Sequence, residues 1–300
     1  MIPDRFEILE ELVSDEVERL VSARDTELER EVVLKMPGPG MVNALRTVDG
    51  SDRALREART LARVRHPGVP RVLDVLELPT GPLLVMEPVA GHTLAQELRT
   101  HQRLAPERAR EIGIQLAQAL AAVHAQGVVH RNVCTAAIVL RPDGTPCLTG
   151  FRLAKFDIGS TGTSIIYTGR SGSASGTATF RREDGMAFEA AAALLPEHPA
   201  PEQLMGLAAD ERCDVFGLGC VLYDCLTGEL AYPQDDPSTR AQPAPPHKRT
   251  RGVSKKLSQV VMQSLDLRPS QRLPSAQALE EALEGAAGSG SLFGWLRGGG

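Results

Sequence analysis

The chain has 300 residues, 42% of them apolar, and a net charge of −5. That is enough apolar material for one large domain or two small ones. The acidic balance argues against a general nucleic-acid role, which favours a basic chain or stripe.

No run approaches the roughly 18 uninterrupted apolar residues of a membrane span. The longest candidate, Val215–Leu226, is short and interrupted by Asp224 and glycine. The opening Met1-Ile2-Pro3-Asp4-Arg5 lacks a basic region followed by an apolar run, so no secretory signal is expected and a cytoplasmic location is. Cys134, Cys147, Cys213, Cys220 and Cys225 are odd in number and form no C-x-x-C. They read as reduced, buried thiols rather than a zinc site or disulfide framework.

Phe6–Leu12, Glu16–Arg24 and Arg30–Met36 are short runs rich in Val, Ile and Leu, and predict three antiparallel strands. Ser51-Asp52 offers a cap for a helix over Arg53–Arg65, which His66-Pro67-Gly68 stops. Val69–Leu78 and Leu83–Glu87 predict two further strands. After Pro88 the pattern turns helical. Thr93 caps a short helix to His101, and Pro106 opens a long one to Gln126.

Val128–Arg152 follows, reading VVHRNVCTAAIVLRPDGTPCLTGFR. The Asp143-Gly144 turn between Ala137–Leu140 and Cys147–Thr149 predicts a hairpin. Asp157–Thr179 is dominated by Gly, Ser and Thr and reads as a mobile segment. Cys213–Thr227 is a mostly apolar helix, Tyr232–Gly252 a Pro-rich loop with basic residues at Lys248–Arg251, and Ser254–Leu265 and Ser275–Leu283 the last helices.

Several motifs stand in order. They are Val-Val-Leu-Lys ending at Lys35, Glu57 in the following helix, His130-Arg131-Asn132, Gly150-Phe151-Arg152, Ala200-Pro201-Glu202, Asp214 at the start of an apolar helix, and Arg272 in LDLRPSQRLPSA. Together they resemble eukaryotic-type protein kinases, in particular the bacterial serine/threonine kinases, over residues 6–285. The resemblance implies an α+β bilobal fold. A small antiparallel lobe with one helix spans 6–87, a mainly helical large lobe spans 88–285, and 286–300 is a flexible Gly-rich tail.

The family carries H-R-D-L-x-x-x-x-N, then D-F-G, and a G-x-G-x-x-G loop over the phosphates. Here Val13, Asp15 and Glu18 stand at the glycine positions, and Glu16 adds a further carboxylate. Side chains there block the approach of backbone N–H groups to phosphate, so a solvated β-turn is the expected state of Val13–Leu20. Val33 stands where the family has alanine against the adenine ring. Asn132 replaces the aspartate that orients or accepts the hydroxyl proton. Cys134 replaces the lysine facing the transferred phosphate. Ala137 and Gly150 replace the two magnesium ligands, and Leu195 replaces a threonine that bonds the catalytic loop.

The framework positions remain. His130, Phe151 and Leu61 match residues stacked between the lobes, and Glu202 and Arg272 match an ion pair of the large lobe. The resemblance therefore implies a degenerate member, a pseudokinase acting as a regulatory or scaffolding partner in signalling. No catalytic and no metal-binding residue is assigned. Lys35 and Glu57 are the candidate nucleotide-binding pair, with an ordinary ion pair as the alternative. ATP binding is expected to be weak or absent, and magnesium with it. Protein partners are expected, an active kinase among the candidates. Such a kinase could modify the hydroxyls of 157–179, with Arg131 placed to receive a phosphate. An unorthodox ATP-binding serine/threonine kinase or nucleotide-dependent switch is the alternative function.

Overall fold

In the computed structural model the described residues are 2–15, 18–40, 42, 55–56, 58–151, 198–205, 207–233 and 241–287, together with the strand backbones of 164–166, 177–181 and 187–191. The small lobe is a five-stranded antiparallel sheet. Its strands are β1 (Phe6–Ser14), β2 (Glu18–Asp25), β3 (Arg30–Pro37), β4 (Val72–Leu78) and β5 (Gly81–Met86), in the order β1-β2-β3-β5-β4. The expected strands are all present, with β4 beginning three residues later than expected. His66-Pro67-Gly68 leads into a further turn rather than directly into a strand.

Period-two alternation sorts β3 between two faces. Val32, Leu34 and Met36 join Phe6, Val21, Ala23, Leu83 and Val85 in one apolar layer. Val33 and Lys35 point the other way, and Val33 packs against the main core that runs into the large lobe. Helical turns at 55–56 and 58–61 place Ala58 and Leu61 in that core. The expected Ser51-Asp52 cap lies outside the described residues.

The large lobe begins with β6 (His92–Thr93) and α1 (Leu94–His101). Thr93 closes α1 with a capping box: its Oγ1 accepts from Gln96 N, and Gln96 Oε1 accepts from Thr93 N. Helix α2 (Pro106–His124) opens on its proline and buries Ile112, Leu116, Leu120 and Val123. The hairpin of β7 (Ile138–Leu140) and β8 (Pro146–Leu148) pairs around the Asp143-Gly144 turn, while Ala137 belongs to a 3-10 turn. Strands β9 (Ser164–Ile166), β10 (Thr177–Arg181) and β11 (Ala187–Ala191) form a three-stranded sheet. The mobile segment expected over 157–179 otherwise lies outside the described residues.

Among the described residues, four helices follow after a short one. Helix α3 is Pro201–Leu204, α4 is Arg212–Thr227, α5 is Pro246–Arg249, α6 is Lys255–Ser264 and α7 is Ala276–Gly285. Helix α5 corrects the expectation of a loop throughout Tyr232–Gly252; Pro246 at its first position is pre-set for a helical turn. Helix α4 is buried on almost every side, which its continuous apolar sequence demands. Ser254 and Ser275 cap α6 and α7. The five cysteines are buried, and none is in a disulfide. No described helix is long and apolar enough to cross a membrane.

Candidate active-site cleft

Lys35 is only 2% exposed. Its Nζ lies 2.8 Å from Glu18 Oε2 and donates to the carbonyl of Phe151. Strand register explains the first contact. Leu20 faces Lys35 across β2 and β3, and Glu18 is two residues from Leu20 on the same face. Glu18 and Lys35 are therefore diagonal cross-strand neighbours.

The turn before β2 is tied by Asp15 N to Glu18 O and by Glu18 N to Asp15 Oδ1. A turn was expected here. A solvated Glu18 was too, and that part is corrected: its side chain is buried against Lys35. The period-two pattern of ERLVS carried the signal, but the comparison with a glycine loop masked it. Glu57, the expected partner of Lys35, lies outside the described residues, as do Glu16 and Leu195.

The catalytic-loop backbone hangs on Asp214. This fully buried carboxylate accepts from His130 N at 2.7 Å and Arg131 N at 2.6 Å, and His124 Nε2 lies 2.8 Å away. Three donors offset the cost of burying the charge. They also hold Arg131 at φ +63°, a left-handed conformation that non-glycine residues seldom adopt. Gln203 Nε2 donates to Arg131 O from α3. Gly217 of α4 lets the loop in: a Cβ there would sit 2.8 Å from Val133 O.

His130 donates from Nε2 to Thr149 O, and its Nδ1 accepts from Asn132 N. Its ring meets Phe151 edge-on, centroids 4.4 Å apart. Leu61 and Phe151 share the main apolar core. Of the interlobe stack expected of His130, Phe151 and Leu61, the His130–Phe151 contact is present and Leu61 lies in the same core.

The positions that would handle phosphate and metal come together too. Gly150 has φ +72°, and a Cβ on it would meet Ala137 Cβ at 3.0 Å and Asn132 Nδ2 at 4.0 Å. Cys134 is buried at 4% exposure. Neither Gly150 nor Ala137 carries an oxygen ligand, so the pair does not fit a magnesium ion, which takes carboxylates and phosphate oxygens. Among the described residues no group of three His, Cys, Asp or Glu side chains could hold a metal.

The large lobe is locked below this site. Arg272 Nη1 and Nη2 donate to Glu202 Oε1 and Oε2 at 2.6 and 2.8 Å, and its guanidinium lies over the Phe216 ring. This is the ion pair expected from the sequence.

A small sheet lobe, a lysine on its third strand, a histidine–phenylalanine stack and a catalytic loop held by a buried aspartate define a protein-kinase domain. The "Protein kinase domain" family matches residues 19–283, and the chain belongs to it. Among its relatives is the serine/threonine-protein kinase PknB of Mycolicibacterium smegmatis. It is 32% identical over 292 residues, covering 94% of this chain and 43% of PknB. PknB of Mycobacterium tuberculosis matches to the same extent. The probable serine/threonine-protein kinase SCO3848 of Streptomyces coelicolor is 28% identical over 87% of this chain and 37% of its own length. The chain thus spans less than half the length of these curated relatives. Among solved structures, Rad53 1–466 in complex with AMP-PNP superposes with a TM-score of 0.68. It covers 93% of this chain and 65% of the Rad53 chain at 18% identity, a likeness of fold.

Proposed function

We propose that this kinase domain is non-catalytic and works through protein contacts, as a regulatory or scaffolding partner in signalling. Residues 6–285 form the working domain in this reading and 286–300 a Gly-rich tail. The observation that carries it is the buried Lys35–Glu18 ion pair. In the family the third-strand lysine holds nucleotide phosphates. Here a carboxylate from the glycine-loop position already lies against that ammonium, and a phosphate entering would meet a like charge. Asn132, Ala137 and Gly150 add to this, since phosphoryl transfer is almost entirely positioning and charge neutralisation.

A second reading, an unorthodox ATP-binding serine/threonine kinase or nucleotide-dependent switch, is favoured by the relatives, which are named serine/threonine-protein kinases, and by the retained Lys35. Calorimetric titration with ATP, with and without Mg²⁺, separates the two. The proposed reading expects no magnesium-enhanced binding. A micromolar affinity that rises with Mg²⁺ and is lost in Lys35→Met would establish the second.

A further inference from the structure

A groove of about 740 Å³ lies behind the cleft, where the loop after the small-lobe helix meets α2 and the β7–β8 hairpin. It shares no lining residue with the Lys35–Gly150 site. Three arginines line it: Arg65 and Arg71 from the connection leading into β4, and Arg141 in the hairpin. Pro67, Gly68 and Pro146 supply apolar surface between them. Its size falls within the usual range of ligand and peptide sites, about 300–1,000 Å³.

The charge in this groove is unbalanced. Arg65 Nη1 is held by the carbonyls of Ala62 and Val64, and Arg141 Nη2 by Cys147 Sγ. These bonds fix the two guanidiniums and leave their other N–H groups available. Among the described residues none of the three arginines forms a salt bridge, and no side-chain bond of Arg71 is present. Two carboxylates, Glu87 and Asp143, line the groove as well, so three guanidiniums face two carboxylates and one positive charge is left in excess. Glu87 Oε1 accepts from Arg71 N, and Asp143 Oδ1 accepts from Thr145 N and Oγ1. Burial keeps His66 toward its neutral form, so the arginines supply the positive charge. Three guanidiniums, two of them fixed, give this groove a positive excess around an apolar floor in a chain of net charge −5.

We propose that this groove docks an extended acidic segment of a partner protein, its carboxylates on Arg65, Arg71 and Arg141 and an apolar side chain on Pro67 and Pro146. Guanidinium forks bind carboxylates with two parallel hydrogen bonds, and arginine clusters are a recurrent means of reading acidic motifs. Two pre-fixed arginines lower the ordering cost of binding. The inference goes beyond the reading of the cleft, and a groove that binds nothing would leave the nucleotide titration untouched.

The test is fluorescence polarisation of the full chain with a labelled eight-residue peptide alternating Glu and Leu, against the same peptide with Lys for Glu. The expected result is salt-sensitive binding of the acidic peptide only, weakened about tenfold or more by Arg71→Glu. Arg71→Glu removes no side-chain contact within the described residues, so folding should survive, and circular dichroism checks this. Arg71→Glu with Arg141→Glu should turn the preference toward the lysine peptide. Absence of binding, equal binding of both peptides, insensitivity to Arg71→Glu, or displacement by millimolar inorganic phosphate (which would mark a simple anion site) would each overturn the proposal.

Discussion

The Cβ of Ala137 lies where a side chain on Gly150 would begin, 3.0 Å from an ideal Cβ at that residue. These are the two positions from which the family holds its magnesium ions. They lie against each other, with the Asn132 amide beside them. The site has therefore lost both ligands in the same place, and a side chain on Gly150 needs a small shift of Ala137.

Gly150→Asp alone should restore neither metal binding nor transfer. Aspartate tolerates the left-handed backbone better than most residues, but its Cβ must displace Ala137. Asn132→Asp alone should fail as well, because residues acting as a unit are strongly non-additive. Transfer is expected only when Ala137→Asn, Gly150→Asp, Asn132→Asp and Cys134→Lys are combined with glycine at Val13, Asp15 and Glu18. The assay is radiolabel transfer from ATP to a basic protein and to the chain itself. Lys35-dependent transfer by the unmodified chain would falsify the non-catalytic reading.

Glu18→Gly should uncover an anion site at Lys35. Weak, magnesium-independent binding of ATP is expected in the variant, measured by calorimetry, with inorganic triphosphate as competitor. Lys35→Met strands the buried Glu18 carboxylate. Removing one partner of a buried pair costs about 3–5 kcal/mol, so urea unfolding should show a loss of that order.

Arg272→Ala should destabilise the large lobe by a similar amount, about 3–5 kcal/mol by the same reasoning. Its guanidinium also donates to the carbonyls of Asp266 and Arg212, which would be left without it. Arg272→Lys should recover little, because a single ammonium cannot reproduce the bidentate pairing or the contact with Phe216. Chemical denaturation of both variants checks this. A cost below about 1 kcal/mol, the range of exposed pairs, would contradict the buried lock.

Burial pushes the Cys147 thiol up from its ordinary 9.0 to about 11, against the opposing charge of Arg141. Between those values the unfolded chain has lost a proton that the folded chain still binds, so unfolding stability falls as pH rises through this window. Two pKa units correspond to roughly 2–3 kcal/mol. Denaturation series at pH 9 to 11 should show a steeper decline for the native sequence than for Cys147→Ala. Parallel curves would assign the decline to other groups. The same burial predicts that Cys147 resists alkylation at pH 8 in the folded protein.

Much of this architecture was legible because it rests on local chemistry at fixed spacing. Thr93 announces a helix cap and Asp143-Gly144 announces a hairpin, while Asp214 reads as a buried anchor only through the family resemblance. Glu202 and Arg272 were readable as a pair only through the family resemblance, since 70 residues separate them. Glu18 was misread because the glycine-loop pattern invites attention to what is missing, while its burial depends on strand register. Helix α5 was hidden by prolines that read equally as loop. The arginine groove left no trace in the sequence, because Arg141 meets Arg65 and Arg71 only when the hairpin folds against the loop before β4.

Asp214 has a consequence for how such a cleft can change. The catalytic loop is shaped by a carboxylate on another element, which grips the backbone of His130 and Arg131. Form and reactivity are thus inherited separately. Residues after Arg131 are free to drift, or to be rewritten by design, on a loop whose path is set elsewhere. Losing Asp214 would do the reverse, leaving every reactive group in the sequence and none of them in place.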